Sequence, residues 1–160
     1  MDNIELGHKT LEFLFKTLRY FFKSGDIVIA GSFYYKKIGC PVHTDYKDID
    51  LVVNEKRDDI FHSILDLIEY KHYPISSFRN RFADGVLIGA FRIDGYAGVD
   101  LLRNDFSDLL PQIEIIPGVW SHCLSDGVLY KTYENLEVKT KNPKYSEIKN
   151  FFHDRSLLAI

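Results

Sequence analysis

Two aspartates two positions apart, Asp48 and Asp50, come directly before an apolar run that is typical of a buried strand. Side chains at positions i and i+2 of a strand share a face, so both carboxylates should point away from the core side of Ile49. Two close carboxylates repel each other and are costly to bury unpaired. A divalent cation would offset that cost, and Mg²⁺ prefers hard oxygen ligands. The pair predicts a metal site, with a solvated strand end as the alternative.

A third acid, Asp100, lies among apolar neighbours in a segment that also predicts a strand, residues 98–102. By itself it is consistent with a core aspartate whose hydrogen bonds are satisfied. If its strand pairs beside the strand of Asp48, it becomes a third metal ligand. Two metals held by three carboxylates can orient a triphosphate and activate an acceptor oxygen.

The dipeptide Gly31-Ser32 follows a short apolar strand and comes before a segment that predicts a helix or turn. Glycine lets a backbone approach a ligand closely, and a helix N-terminus favours an anion. The Ser32 hydroxyl would add a hydrogen bond to phosphate. Gly and Ser are also ordinary turn residues, so this feature by itself favours an ordinary turn over a phosphate site.

Taken together, the Gly31-Ser32 turn, the Asp48-Ile49-Asp50 strand and the later Asp100 resemble the DNA polymerase β-like nucleotidyltransferase superfamily, in particular its minimal members. The resemblance covers roughly residues 27–102. It implies that the turn holds a triphosphate and that the three acids are catalytic residues binding two Mg²⁺ ions, with Mn²⁺ as a possible substitute. Asp100 would also help to deprotonate the acceptor hydroxyl.

A weaker likeness extends downstream, where Lys131 stands in a predicted helix at the place of a family lysine that reaches the triphosphate. A solvated helix lysine is the alternative. The sequence departs from the family in its long spacer between Ser32 and Asp48, in Lys47, and in two tyrosines after the turn, Tyr34 and Tyr35.

The implied activity is transfer of a nucleoside monophosphate from an NTP such as ATP to an acceptor hydroxyl, with release of pyrophosphate. The acceptor would be a protein, a tRNA end or a small molecule. The alternative is an inactive protein of the same fold that binds nucleotide or a partner protein, for example in a toxin–antitoxin pair. A partner protein or a homodimer is compatible with either.

Composition limits the other possibilities. The 160 residues fit one domain, and 46% are hydrophobic, which is enough for a packed core. The net charge of -3 lacks the Lys and Arg surplus of a protein that binds nucleic acid through phosphates, although a local basic patch is still compatible. Cys40 and Cys123 are too few for a disulfide framework. With no leader or apolar span, we expect a cytoplasmic protein without a membrane partner.

The elements that must position the candidate site residues are predicted to be both helices and strands. Helical spacing predicts a first helix over some twenty residues, ended by Gly25, and a second over 60–68 with Asn54 as a possible cap. Further helices are predicted at 126–136 and 145–158. Strands are predicted at 27–30, 48–53, 86–93 and 96–102, with an edge strand at 78–82 and either a strand or a connection at 112–116.

Asp94-Gly95 predicts a hairpin between two of these strands. The pattern indicates an α+β fold, a small mixed β-sheet flanked by helices. We expect a single nucleotidyltransferase-like domain over residues 1–160, with its core at 26–103 and a helical part at 124–160. Trp120 is interpreted as a core or interface aromatic.

Overall fold

The chain folds into a sheet with helices packed against it, as seen in a computed structural model. The structure describes residues 1–41, 46–57, 59–71, 73, 75 and 87–158, and the backbone of residues 76–80. The spacer positions His43 and Asp45 therefore lie outside the described residues, as do residues 81 and 82 of the predicted edge strand. Within the described part, no helix is long and apolar enough to cross a membrane.

The N-terminal segment forms two helices rather than the single one predicted, α1 (Asn3–Thr17) and α2 (Arg19–Ser24). Asp2 caps α1 by accepting a hydrogen bond from the Glu5 N–H at 2.8 Å. The predicted C-terminal cap is confirmed, since Gly25 ends α2 in the left-handed region at φ +79°. The helices bury one apolar stripe, made of Leu11, Leu14, Leu18 and Phe22.

The central sheet has five strands in the order β1-β2-β5-β4-β3. The strands are β1 (Ile27–Ala30), β2 (Asp48–Asn54), β3 (Ile75–Asn80), β4 (Leu87–Ile93) and β5 (Gly98–Asn104). Strands β2 and β5 are parallel, and the other neighbouring strands are antiparallel. The predicted α+β fold with a small mixed sheet flanked by helices is confirmed.

Helix α4 (Ile60–Tyr70) packs its apolar face on the sheet. The Phe61 ring lies so close to Gly89 of β4 that an added Cβ would stand 2.4 Å from it, so the packing requires glycine there. The predicted cap of this helix is wrong. Asp59 holds the N-cap position, while the Asn54 side chain accepts from the Lys56 N–H in the turn before it.

A second, two-stranded sheet lies against β1. It consists of β6 (Leu110–Ile116) and β7 (Val119–Cys123), of which only β6 was predicted. The buried Ser121 hydroxyl of β7 accepts a hydrogen bond from the Ile29 N–H of β1 at 2.9 Å. Its neighbour Trp120 is 45% exposed, so the core interpretation of this residue is wrong.

The C-terminal part is a helix pair, α5 (Asp126–Thr140) and α6 (Pro143–Leu158). Ser125 caps α5 by accepting from the Val128 N–H. Between the helices, Glu137 accepts hydrogen bonds from Lys149 at 3.1 Å and Ser146 at 2.6 Å. These bonds join the two helices. The pair packs on Tyr35 of helix α3 (Gly31–Lys37), and α5 also contacts the sheet directly, since the Asn104 amide of β5 donates to the Thr132 hydroxyl at 2.8 Å.

Candidate active site

The register of β2 and β5 brings the three predicted acids together. Asp50 stands directly opposite Asp100 on the neighbouring parallel strand, and Asp48 stands opposite Gly98. Because neighbouring partners and alternate residues share a face, Asp48, Asp50 and Asp100 all lie on one side of the sheet. All three side chains are half-buried. The strand pairing on which a role for Asp100 depends is therefore present.

Gly31 brings the predicted phosphate-binding turn against this row. It begins α3, and its φ of +72° lies in the left-handed region. The preceding residue, Ala30, pairs with Asp50 across β1 and β2. A Cβ added to Gly31 would stand 2.4 Å from the Asp50 Oδ2, so only glycine allows this approach. The half-buried Ser32 follows it in the first turn of α3.

The electrostatics of the row are unfavourable in the absence of a cation. Burial, which has the largest effect, and the negative charges of Asp100 and Asp48 together raise the pKa of the Asp50 carboxyl from 3.8 to about 7. The effect has the two physical causes expected for crowded, desolvated carboxylates. A positive charge at this point would offset both the cost of burying the carboxylate and the repulsion from its neighbours.

The residues fit a divalent cation by their chemistry. Their carboxylate oxygens are the ligand type that Mg²⁺ and Mn²⁺ prefer, and their shared face gives the charge that would attract such an ion. Among the described residues, however, no three His, Cys, Asp or Glu side chains are already arranged to hold a metal ion. The carboxylates would have to change rotamer to converge on one.

Arg92 of β4 belongs to the same row and was missed at the sequence level. It pairs with Gly98, and its Nη2 lies 3.3 Å from the position that a Gly98 Cβ would occupy. The Asp48 Oδ1 lies 2.7 Å from that same position. The two opposite charges thus converge over a residue without a side chain. The hairpin register decides this position. A two-residue turn at Asp94-Gly95 would have paired Arg92 with residue 97, whereas the longer turn pairs it with Gly98.

Two buried tyrosines lie close enough to Asp50 for its charge to affect their pKa values. The hydroxyl groups of Tyr35 on α3 and Tyr133 on α5 are hydrogen-bonded to each other. Desolvation raises the pKa of both tyrosines well above the ordinary value, and the charge of Asp50 acts in the same direction on each. Tyr34 is also buried. The tyrosines that depart from the family pattern are therefore core residues here.

Lys131 is not brought to the carboxylate row. This exposed α5 residue lies near Asp105, just beyond the end of β5, whereas Asp100 is near the beginning of that strand. Hydrogen bonds from Ser107 lower the pKa of Asp105, and the charges of Lys56 and Lys131 contribute. Four strand residues separate Asp100 from the end of β5, or about 13 Å.

No protein-family model and no curated protein match the sequence. The chain is similar to the crystal structure of ANT(2″)-Ia in complex with adenylyl-2″-tobramycin. The TM-score is 0.53 at 12% identity, over 92% of this chain and 99% of that one. It is also similar to the solution structure of the antibiotic-resistance factor ANT(2″)-Ia, with a TM-score of 0.53, 16% identity, and 95% and 84% of the two chains covered.

That protein is an aminoglycoside nucleotidyltransferase. At these identities the likeness establishes the fold, and this chain therefore has the nucleotidyltransferase fold.

Proposed function

We propose that the protein is a metal-dependent nucleotidyltransferase that transfers a nucleoside monophosphate from an NTP to an acceptor hydroxyl. The observation that carries the proposal is the pairing of Asp50 with Asp100 on parallel strands, with Asp48 on the same face and Gly31 in contact. A stable fold has no need for three half-buried carboxylates side by side, since they repel each other. A cationic ligand gives them a function.

Asp48 and Asp50 are proposed to hold two Mg²⁺ ions, or Mn²⁺ in their place, and Asp100 to hold the ion on the acceptor side. When bound, these ions neutralise the triphosphate and lower the pKa of the acceptor hydroxyl. The hydroxyl oxygen then forms a bond to the α-phosphorus, the bond to the bridging oxygen of the β-phosphate breaks, and pyrophosphate leaves. Asp100 takes the hydroxyl proton.

Gly31 and Ser32 are proposed to bind the triphosphate through the first turn of α3, beside the carboxylates. Lys131 is proposed as an additional point charge for the phosphates, which requires its long side chain to turn away from Asp105. Catalysis arises from positioning the reactants and from neutralising charge, the dominant contributions to phosphoryl transfer.

The donor is proposed to be an NTP such as ATP, and the acceptor a small molecule, a tRNA end or a protein side chain. The adenylyl-2″-tobramycin bound in the structurally similar protein supports a small hydroxyl-bearing acceptor. The protein is proposed to be a minimal member of the superfamily, acting alone, as a homodimer or with a partner protein. Two buried free cysteines, Cys40 and Cys123, are compatible with a cytoplasmic setting.

The test is transfer of label from each α-labelled NTP, with Mg²⁺ or Mn²⁺, to a panel of acceptors made of an aminoglycoside, bulk tRNA and total protein. We expect transfer by the unmodified chain and none by Asp48→Ala or Asp50→Ala. Glu12→Gln, an exposed acid on α1, is the matched control and should retain full activity.

Two results would overturn the proposal. Full activity in both aspartate variants would show that the carboxylate row is not the catalytic centre. Binding of Mg²⁺ and NTP by calorimetry without transfer to any acceptor would favour an inactive nucleotide-binding module of the same fold.

A further inference from the structure

A second concave surface lies between the N-terminal helices and the β6–β7 hairpin, and it shares no residue with the carboxylate row. This groove has a volume of about 520 Å³, within the range of ligand-binding clefts. Its lining residues are Phe15, Arg19, Tyr20, Lys23, Gln112 and Trp120. We refer to it as the Trp120 groove.

Two aromatic rings of the groove are held open to solvent. Trp120 is 45% exposed and Tyr20 is 76% exposed, although large aromatic side chains are usually well buried. Trp120 is the only tryptophan of the chain. Strand pairing places its backbone, because β7 pairs Trp120 with Glu114 of β6. An exposed ring on a paired strand is a platform for stacking.

The charge of the groove has one sign. Arg19 and Lys23 both line it, and none of its six lining residues is acidic. Glu114, the strand partner of Trp120, instead accepts a hydrogen bond from the Gly118 N–H in the hairpin turn and lines a different pocket. The groove is therefore a local basic patch on a chain whose net charge is -3.

We propose that the Trp120 groove binds single-stranded nucleic acid. Exposed rings that stack on bases, flanked by cations that contact the backbone phosphates, are the two components that such sites combine. Every base has a face on which Trp120 or Tyr20 can stack, and the Gln112 amide can hydrogen-bond a base edge.

Other occupants fit the groove less well. A second copy of the chain docked symmetrically on the groove would set two cationic grooves face to face with no acidic lining residue between them, which is electrostatically unfavourable. An acidic protein segment would satisfy the two cations but would leave the exposed rings without planar partners. The overall negative charge of the chain also means that binding must be local, with a weak salt dependence set by two cations.

The probe is a short single-stranded oligoadenylate, and the readout is the intrinsic fluorescence of the single tryptophan. We expect saturable quenching and a slope of log K against log salt of about -1.4, since each neutralised phosphate on a single strand contributes about 0.7. Oligoadenylate labelled at one end, followed by anisotropy, gives the affinity of variants that lack the tryptophan.

Trp120→Leu should weaken oligoadenylate binding by about tenfold or more, because stacking on one aromatic ring is removed. The matched control is Tyr70→Leu, which removes an exposed tyrosine at the end of α4. Arg19→Gln with Lys23→Gln should flatten the salt dependence, while Lys139→Gln with Lys144→Gln on the C-terminal helices should not. All six positions are exposed, so folding should be preserved, and thermal melting would verify it.

Three results would overturn the inference. The first is the absence of quenching by oligoadenylate, and the second is an equal affinity of Trp120→Leu and Tyr70→Leu for oligoadenylate. The third is binding of polyglutamate as tightly as oligoadenylate. The last would assign the groove to an acidic protein segment. None of them bears on nucleotidyl transfer, which is measured separately at the carboxylate row.

Discussion

Strands β2 and β5 have an apolar face and a carboxylate face. Both faces depend on the same strand register, but they have opposite effects on stability. One face carries Ile49, Leu51, Val99 and Leu101, each at most 2% exposed and packed in the hydrophobic core. The other face carries the carboxylates and the glycine turn. Burial stabilises the first face, whereas burial and like charge destabilise the second.

The difference shows how an unfavourable cluster is kept in place. A slip of one residue between β2 and β5 would turn the apolar side chains outward and the aspartates into the core, so the apolar face fixes the register. The same register places Asp50 opposite Asp100. The face that carries the proposed chemistry is thus held by the packing of the opposite face.

The largest expected effect is a loss of activity on the carboxylate face without a loss of stability. Asp100→Asn should lower nucleotidyl transfer by at least about a thousandfold, or about 4 kcal/mol of transition-state stabilisation, because it removes the proposed metal ligand and proton acceptor. Metal-free stability should not fall, since the change removes a charge that repels Asp50. Transfer rates and urea unfolding in EDTA measure the two. Transfer above a tenth of the original rate would contradict the role of Asp100.

The second effect concerns pH. The pKa of Asp50 in the folded chain, about 7, lies above its ordinary value of 3.8, so the folded state binds its proton more tightly than the unfolded state. The contribution of this group to stability is full below about pH 4 and is lost as pH rises through about 7. The loss is at most about 4 kcal/mol, at roughly 1.36 kcal/mol per pKa unit.

Urea unfolding of the metal-free chain between pH 5 and pH 8, in the presence of EDTA, would measure this loss. Asp50→Asn is the control, since an amide does not titrate, and its stability should depend less on pH over the same interval. An identical pH dependence in both proteins would show that Asp50 is not the titrating group.

On the apolar face, Leu101→Ala should reduce the free energy of unfolding by about 2–5 kcal/mol, because Leu101 is fully buried and its removal leaves a cavity. Transfer per folded molecule should change little. Leu158→Ala, at an 86% exposed position, should change stability by less than about 0.5 kcal/mol. A loss of transfer in Leu101→Ala without a loss of stability would contradict the assignment of the apolar face to stability alone.

Much of this arrangement could be predicted from local patterns. Alternation along a strand was enough to place Asp48 and Asp50 on one face, opposite Ile49. Helical spacing and a left-handed glycine located the end of the N-terminal helices at Gly25. Such features depend on residues close in sequence, so their geometry is set by the backbone alone.

What local patterns could not provide was the pairing of distant elements. Asp50 and Asp100 are far apart in the chain, and their meeting depends on which strands are neighbours. Arg92 faces Gly98 because the β4–β5 connection is longer than a two-residue turn. Tyr133 reaches Tyr35 because α5 packs on α3. Strand β7, with Trp120 and His122 in it, lacked the apolar alternation that marks a half-buried strand.

A smaller effect tests how closely the turn approaches the carboxylates. Gly31→Ala and Gly39→Ala both place a Cβ at positive φ, +72° and +80°, which costs about 1–2 kcal/mol. Gly39 has nothing within 4 Å of its added Cβ, whereas Gly31 has the Asp50 carboxylate. We expect Gly31→Ala to be less stable by a further 1–3 kcal/mol or so, because Asp50 must move. Equal stability, measured by urea unfolding, would contradict the close approach.

The smallest effect tests whether the charged face extends to the C-terminal helices. Lys131 is exposed and lies near Asp105, so any contact with a triphosphate is made in water. Exposed ion pairs contribute about 0.2–1 kcal/mol, and Lys131→Gln should therefore raise KM for the NTP about twofold to fivefold at unchanged kcat. Lys139→Gln on the same helix is the matched control and should leave KM unchanged. If Lys131→Gln also leaves KM unchanged, Lys131 is a solvated helix residue, and the proposed triphosphate site is limited to the first turn of α3.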